Sequence, residues 1–472
     1  MRRITRVLLV TTMGALICAM GIAQTTKPAP ESQPADKQIE RAVAEVSAQR
    51  IEQTIQHLVG FKTRLTMSTN LPAESGHGVL AAAAWIQAQF EGYSKDCGGC
   101  LQVKTFKFIQ PVSSRIAQPT EITDVYAVLP GTNPADAKRI YIVTGHYDTI
   151  ALNPTAEHKI VIDPDADAPG ANDDGSGTSV VLETARVLSK YKFPATIIFC
   201  AVAGEEEGLY GSAGFAKMAK AEGWDIEADL NNDIVGGDRN AGQRPTVVRV
   251  FSEGIPMPGL ADAALVKEIR LTGMESDSPS RELARYINGV GVAYQKAGAA
   301  SPHLVFRQDR YLRGGDHTSF NEQGFAAVRL TEWREDFNHQ HQTVRTVNGI
   351  EYGDLPKFVN FETIARVARL NLATLAELAS APAPPQQVRI DTMKLENGTT
   401  LKWQASAGAL AASYEIVWRD TSAPLWEYSV NVGTATTATV DESKDNVIFG
   451  VRAVDQAGHR SVVVTPTREA RR

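Results

Sequence analysis

Three strand-like runs in this chain, two of them mainly apolar, stop on or are interrupted by histidine or acid. Residues 139–144 lead into Gly145-His146-Tyr147-Asp148, and Thr196–Val202 leads into Ala203-Gly204-Glu205-Glu206-Glu207. The run 228–235 is interrupted by Asp233. An unbroken stretch of aliphatic and β-branched residues marks a strand buried on both faces, and such strands belong to parallel sheets covered by helices. The segments between them agree: 178–191 and 210–221 carry helical periodicity, and 124–129, 247–251 and 326–331 are further strand-like runs. The expected fold class is α/β, a mainly parallel (mixed) sheet flanked by helices. Open sheets of this kind bind ligands beyond the carboxyl ends of their strands, which is where these runs deliver their polar residues.

Around this unit the chain divides further. Arg2, Arg3 and Arg6 precede a mainly apolar stretch, and Gly21-Ile22-Ala23 offers small residues before Gln24. Residues 1–23 therefore read as a secretory signal. A membrane anchor is the alternative, but the run is short for a bilayer and broken by Thr11 and Thr12. The mature protein is expected to be exported, periplasmic or extracellular, with no stable membrane span. Residues 24–37, rich in Pro, Thr, Ser and Gln, read as a disordered spacer. Helices are expected over 38–59 and 79–90, and Ala381-Pro382-Ala383-Pro384-Pro385 reads as an extended linker over 381–387. Residues 388–466 are strand-rich with polar turns, a small all-β sandwich by spacing. The net charge of −6, without a basic patch, gives no basis for a nucleic-acid partner. In an oxidising compartment Cys97 and Cys100 favour a small disulfide. The other reading, half of a zinc site, lacks a second cysteine pair. Cys200 sits in an apolar run and reads as core.

The polar segments carry the chemistry. In extended chain, residues two apart point the same way, so Asp148 lies beside His146 and can fix its tautomer. Gly170-Ala171-Asn172-Asp173-Asp174-Gly175 has turn-forming composition, yet it also offers a carboxylate to cations. A calcium loop would need a later Glu that is missing here. Glu205, Glu206 and Glu207 repel one another unless a cation or protons compensate. Each segment alone has a bland reading as a solvated turn or charge run. Together they gather imidazole and carboxylate without cysteine, a donor set suited to catalytic zinc.

These segments resemble, in order, the motifs of the dizinc aminopeptidase family that includes secreted bacterial leucyl aminopeptidases. The matching elements are His146-x-Asp148 at a strand end and the Asn172-Asp173-Asp174 turn with Ser176-Gly177. They continue with Glu205-Glu206-x-Gly208-Leu209-x-Gly211-Ser212, Asp233-Ile234-Val235-Gly236, and Asp316-His317-x-x-Phe320 with Gly324 and Ala327. The resemblance covers roughly 38–380 and implies a peptidase domain of zinc-exopeptidase type with two zinc ions. It implies that His146 and Asp233 bind one ion, that Glu206 and a late histidine bind the other, and that Asp173 bridges them. Glu205 would be the general base, and the Asp173–Asp174 peptide bond would be cis. For the late histidine, aligning the family's final threonine with Thr346 selects His341, with His339 as rival; Arg345 stands where the family has Asp. His317 is expected to support the site and Tyr311 to stabilise an oxyanion. The C-terminal segment resembles a fibronectin type III domain at Trp403, Tyr414 and Arg452-Ala453-Val454-Asp455, departing at Phe449. Such a module binds a surface or polymer, or acts as a spacer.

The function implied is hydrolysis of N-terminal residues from peptides with a free N-terminus. Two other classes remain open from the residues. One is a carboxypeptidase-like or single-zinc, glutaminyl-cyclase-like enzyme on the same fold. The other is a non-catalytic peptide-binding scaffold. His57, His77, His158, His303 and His459 lack any such context.

Overall fold

The computed structural model describes residues 29–30, 33–154, 160–162, 166–237, 239, 241–256, 259–260, 262–393 and 396–468. The expected signal, 1–23, lies outside them. Among the described residues an eight-stranded sheet forms the centre: β1 (Gln102–Gln110), β2 (Thr120–Leu129), β3 (Arg139–His146), β4 (Thr196–Val202), β5 (Asp225–Asn232), β6 (Val247–Ser252), β7 (Ser301–Val305) and β8 (Ala327–Glu332). Their spatial order is β7-β6-β8-β5-β3-β4-β2-β1. β3, β4, β5 and β8 run parallel at the middle, while β2 is antiparallel to β4 and β6 to β8. The sheet is mixed, with a parallel centre, as the apolar runs indicate.

The pleat explains why those runs are apolar throughout. Tyr141, Val143, Ile197, Phe199 and Ala201 face one core, together with the helices Ala48–Gly60, Gly78–Asp96, Gly175–Leu188, Pro279–Ala293 and Phe361–Ser380. The intervening Ile142, Ile198, Cys200 and Val202 face a second core, closed by Phe215 of the helix Tyr210–Ala221 and by Phe320. Alternate residues thus serve opposite faces, both dry.

Several element boundaries differ from the sequence reading. The expected helix 38–59 is two helices, Lys37–Ala44 and Ala48–Gly60, because Ser47 breaks the run and caps the second, its hydroxyl accepting from Arg50 N at 3.3 Å. The strand expected over 228–235 runs instead over Asp225–Asn232 and stops before Asp233, where the chain turns through a left-handed Ile234 (φ 56°). Cys97 and Cys100 form a disulfide just past the helix Gly78–Asp96, and Cys200 is buried in β4. Ala381, Pro382 and Ala383 are buried rather than extended in solvent, and Arg139 donates to the carbonyl of Ala381 at 2.9 Å.

The C-terminal strands form two four-stranded sheets. One contains Ser413–Asp420, Tyr428–Asn431 and Val447–Val454, and the other contains Gln386–Ile390 and Thr399–Gln404. They share a core in which Leu401 and Trp403 meet Ile416, Trp418 and Phe449. Ala29–Pro30, within the segment read as a spacer, pairs with Tyr428 and Ser429 at the edge of the first sheet. Buried polar contacts join this unit to the helix Pro279–Ala293. Arg419 reaches Asp277 at 2.6 Å, Trp426 Nε1 donates to Glu282 at 2.9 Å, and Arg285 donates to the Pro424 carbonyl at 2.8 Å. No helix among the described residues is long and apolar enough to cross a membrane.

Burial pushes the Glu282 carboxyl up from 4.5 to about 7, with Arg285 opposing and Asp277 adding to the rise. A carboxyl raised on folding contributes stability that is present below its unfolded value and lost as pH climbs through its folded value. Between about pH 4.5 and 8 the wild type should therefore lose about 2–3 kcal/mol of unfolding free energy relative to Glu282→Gln, which keeps an acceptor for Trp426. Urea unfolding of both proteins across that range measures the difference.

Candidate metal centre

The carboxyl ends of the parallel strands meet here. β3 ends on His146, fully buried, and the helix Gly175–Leu188 starts directly against it. That close approach requires glycine on both sides: a Cβ on Gly145 would lie 2.6 Å from the Gly177 carbonyl carbon, and one on Gly177 would lie 2.1 Å from the Asn232 oxygen. Asp174 ties the pieces together. Its carboxylate caps the helix at Gly177 N (2.8 Å) and accepts from His146 N (3.1 Å) and Ile234 N (3.2 Å). β3, the end of β5 and the turn that carries Asp173 are thereby held in one arrangement. The Asp173–Asp174 peptide bond is cis.

Beyond β4 the chain turns through Gly204, in a left-handed conformation (φ 75°), into the short helix Glu205–Gly208. The Asp148 carboxylate accepts from Glu205 N (3.3 Å) and Glu206 N (3.2 Å), while the Asp148 carbonyl faces His146 Nδ1 at 3.2 Å. One residue thus orients the histidine and the acidic turn together, leaving His146 Nε2 directed at the acids.

Two sets of possible metal ligands result, and they share one residue. His146, Asp173 and Asp233 form the first, and Asp173, Glu206 and His341 the second. His146 Nε2 is 3.2 Å from Asp173 Oδ1 and 3.9 Å from Asp233 Oδ1. His341 Nε2 is 2.8 Å from Asp173 Oδ2 and 3.0 Å from Glu206 Oε2. Glu205, half-buried beside them, belongs to neither set. His146 Nε2, Asp233 Oδ1 and Glu206 Oε1 are buried without a hydrogen-bond partner. Nitrogen and carboxylate atoms converging unsatisfied on one space fit a pair of divalent cations.

The electrostatics say the same. Burial would lower the His146 imidazole, but Asp148, Asp173 and Asp233 hold it well above its ordinary value. His341 is likewise raised against burial, by Glu206 and Asp173. Asp173 is held well below the carboxylate range despite burial, by His341 and His146. Without metal, the acids draw protons onto the histidines; the cluster demands positive charge in one form or the other. Glu205 moves the opposite way. Burial raises it well above its ordinary value, His146 opposes, and Asp233, Glu206 and Asp316 push it further up.

His339 lies elsewhere, stacked on Phe358 at 3.7 Å and 3.8 Å from Asp336. Arg345 donates to Thr343 and Gln342 and covers the Tyr352 ring, so it shapes a surface hairpin. His317 is buried and donates from Nε2 to the Gln308 carbonyl (2.8 Å), and burial brings it down to about 4. Tyr311 is 74% exposed, with Arg307 over its ring.

Other contributors carry little or no sequence signal. Arg64 donates to the carbonyls of Tyr147, Pro169 and Gly170 and so fixes the approach to Asp173. Asp354 accepts from Asn172 N and Asp173 N at 2.9 and 2.7 Å. Gln340 donates to Asp173 Oδ2 at 2.9 Å. Arg329, a charge within the apolar β8, pairs with Asp233 Oδ2 at 2.9 Å; that interruption is a readable signal. Because Asp354 holds the main chain that presents Asp173, Asp354→Ala should weaken metal affinity about 10–100-fold. Competition with a chromogenic chelator measures it.

Residues 124–360 match the model for peptidase family M28. A protein of Pyrenophora teres f. teres named probable zinc metalloprotease is 45% identical over 438 residues, covering 92% of this chain and 88% of its own. One of the same name from Pyricularia oryzae is 43% identical over 439 residues, covering 91% of this chain and 84% of its own. Among solved structures, the Legionella pneumophila LapA aminopeptidase aligns at 21% identity and a TM-score of 0.50, covering 79% of this chain and 80% of its own. LapB of the same organism aligns at 21% and 0.51, covering 75% and 78%. These two show a shared fold. With the family match and the relatives over nine-tenths of its length, the chain belongs to peptidase family M28.

Proposed function

We propose that this chain is an exported zinc aminopeptidase that removes N-terminal residues from peptides, with two zinc ions per active site. The observation that carries this reading is Asp173, which belongs to both ligand sets. One carboxylate shared by two sets of possible ligands, each with its own histidine, supports a pair of cations. A single-zinc site of glutaminyl-cyclase type has no need of the second set. The names of the relatives support zinc.

In this reading His146 and Asp233 would hold one ion and Glu206 and His341 the other, with Asp173 common to both sets. Bound zinc supplies Lewis acidity, polarising the scissile carbonyl and acidifying water. The residues do the rest. Arg329 and Asp148 fix Asp233 and His146 so that the ligand geometry is set before binding. Glu205, beside the ligand sets but in neither, takes a proton from the attacking water and returns it to the leaving amine. The C-terminal sandwich is read as fibronectin type III-like, a module for attachment to a surface or polymer.

Zinc content and hydrolysis of leucine p-nitroanilide test the assignment together. The wild type should hold two zinc ions and turn the substrate over. Glu205→Gln should keep its zinc and lose about 10²–10⁴-fold in kcat. His341→Ala should lose one ion and most activity, while His339→Ala keeps both. Zinc loss in the His339 variant with retention in the His341 variant would overturn the ligand assignment.

A further inference from the structure

We propose that Arg115 selects peptides bearing a carboxylate just beyond the scissile bond, an inference that rests on the aminopeptidase reading. The placement comes from topology. β2 is antiparallel to β4, with Val125 opposite Ala201, so the start of β2 lies at the carboxyl end of β4. The hairpin tip between Gln110 and Thr120 therefore stands on the edge from which Glu205 and Glu206 emerge.

The tip is held in place. Ile116 is fully buried, Ser113 N donates to the Ile116 carbonyl at 3.0 Å, and Tyr210 OH donates to Ser113 Oγ at 2.7 Å. Between these anchors Arg115 Nη1 donates to the main-chain carbonyl of Glu206 at 2.6 Å. The guanidinium is thus fastened to the chain of a residue whose side chain faces His341 at 3.0 Å.

Arg115 has no carboxylate partner among the described residues. Other arginines of the chain do: Arg329 pairs with Asp233 and Asp309, and Arg310 and Arg313 pair with Glu335. A guanidinium has five donors in a planar fork, and one bond to a neutral carbonyl leaves the fork available for a carboxylate. An extended peptide advances about 3.3–3.6 Å per residue. The C-terminal carboxylate of a dipeptide, or an acidic side chain on the residue after the cut, falls within one or two such steps of the reacting carbonyl. Both present the same chemistry to Arg115.

Zinc-loaded wild type, Arg115→Lys and Arg115→Met should be compared on Leu-Leu against Leu-Leu amide, and on Leu-Asp amide against Leu-Asn amide. The expected result is a wild-type preference of about tenfold or more, in KM, for the carboxylate member of at least one pair. Preference in the first pair identifies a terminal carboxylate, and preference in the second an acidic side chain. The ratio should fall toward one in Arg115→Met and be reduced in Arg115→Lys. The lysine keeps a donor for the Glu206 carbonyl but not the fork, so a merely structural role predicts an unchanged ratio there. Hydrolysis of all four substrates without preference, or a preference that survives in Arg115→Met, overturns the assignment and leaves the aminopeptidase reading standing. Hydrolysis of none of them by the zinc-loaded wild type overturns that reading and the inference with it.

Discussion

Repulsion among buried carboxylates is the constraint around which this molecule is arranged. Asp148, Asp173, Asp174, Asp233, Glu206 and Asp316 are all buried at the carboxyl ends of the parallel strands, and Glu205 is half-buried beside them. In a low-dielectric interior such a group cannot keep all its negative charge without compensation. The structure distributes the compensation unevenly. Asp233 leans on Arg329, and Asp174 spends its oxygens on three backbone N–H groups. Asp316 is pushed up to about 7 by burial. What remains uncompensated is the ring of atoms between His146 and His341, where cations would sit.

The sheet makes such a concentration of charge tolerable. β3 and β4 are mainly apolar on both faces, so their polar residues come at and past the strand ends, whereas β5 and β8 bury Asp229, Asn231, Asn232 and Arg329 within the sheet. Pairing registers set those ends level: His146 lies opposite Val202 and Thr144 opposite Asn231, so Glu205 and Asp233 both emerge within a few residues of the histidine. Dry cores on either side hold the strands in that register, since a slip of one residue would turn each strand's two faces over.

This is also why part of the site was legible in the sequence and part was not. His146, Glu205 and Glu206 stand out because they follow apolar runs, and Asp233 because it interrupts a strand-like one; these are local patterns that need no partner to be seen. Asp173 is visible from turn composition plus family resemblance. His341 emerges over His339 only by alignment to a motif; periodicity has nothing to say about a loop. Arg64, Asp354 and Gln340 act through contacts 83 to 182 residues away in sequence, and nothing near them in the chain announces it. The fold shows the same division. The parallel centre follows from apolar runs, whereas the end of β5 depended on a left-handed turn at Ile234 that composition does not encode. The helices Pro279–Ala293 and Phe361–Ser380 escaped the reading because both are buried along most of their length, which blurs the polar face that marks a surface helix.

The C-terminal sandwich follows a different logic from a module on a loose tether. Its ties to the helix Pro279–Ala293 and the residues just before it are buried and polar: the ion pair of Arg419 with Asp277, and the hydrogen bond that Trp426 Nε1 donates to Glu282. Buried ion pairs contribute little net stability compared with apolar packing, but separating them is costly because each side leaves an unpaired charge. Such contacts specify one docking geometry more than they strengthen it. The N-terminal residues Ala29–Pro30 add an edge strand to the same sandwich, and Asp36 joins Tyr294 through its main-chain N–H at 2.8 Å. Chain entering the catalytic unit therefore runs first along the sandwich, and the sandwich packs on a helix whose Leu283 and Ile287 belong to the main core. A sandwich fastened in this way keeps one fixed orientation to the metal centre, which a flexible linker could not give it.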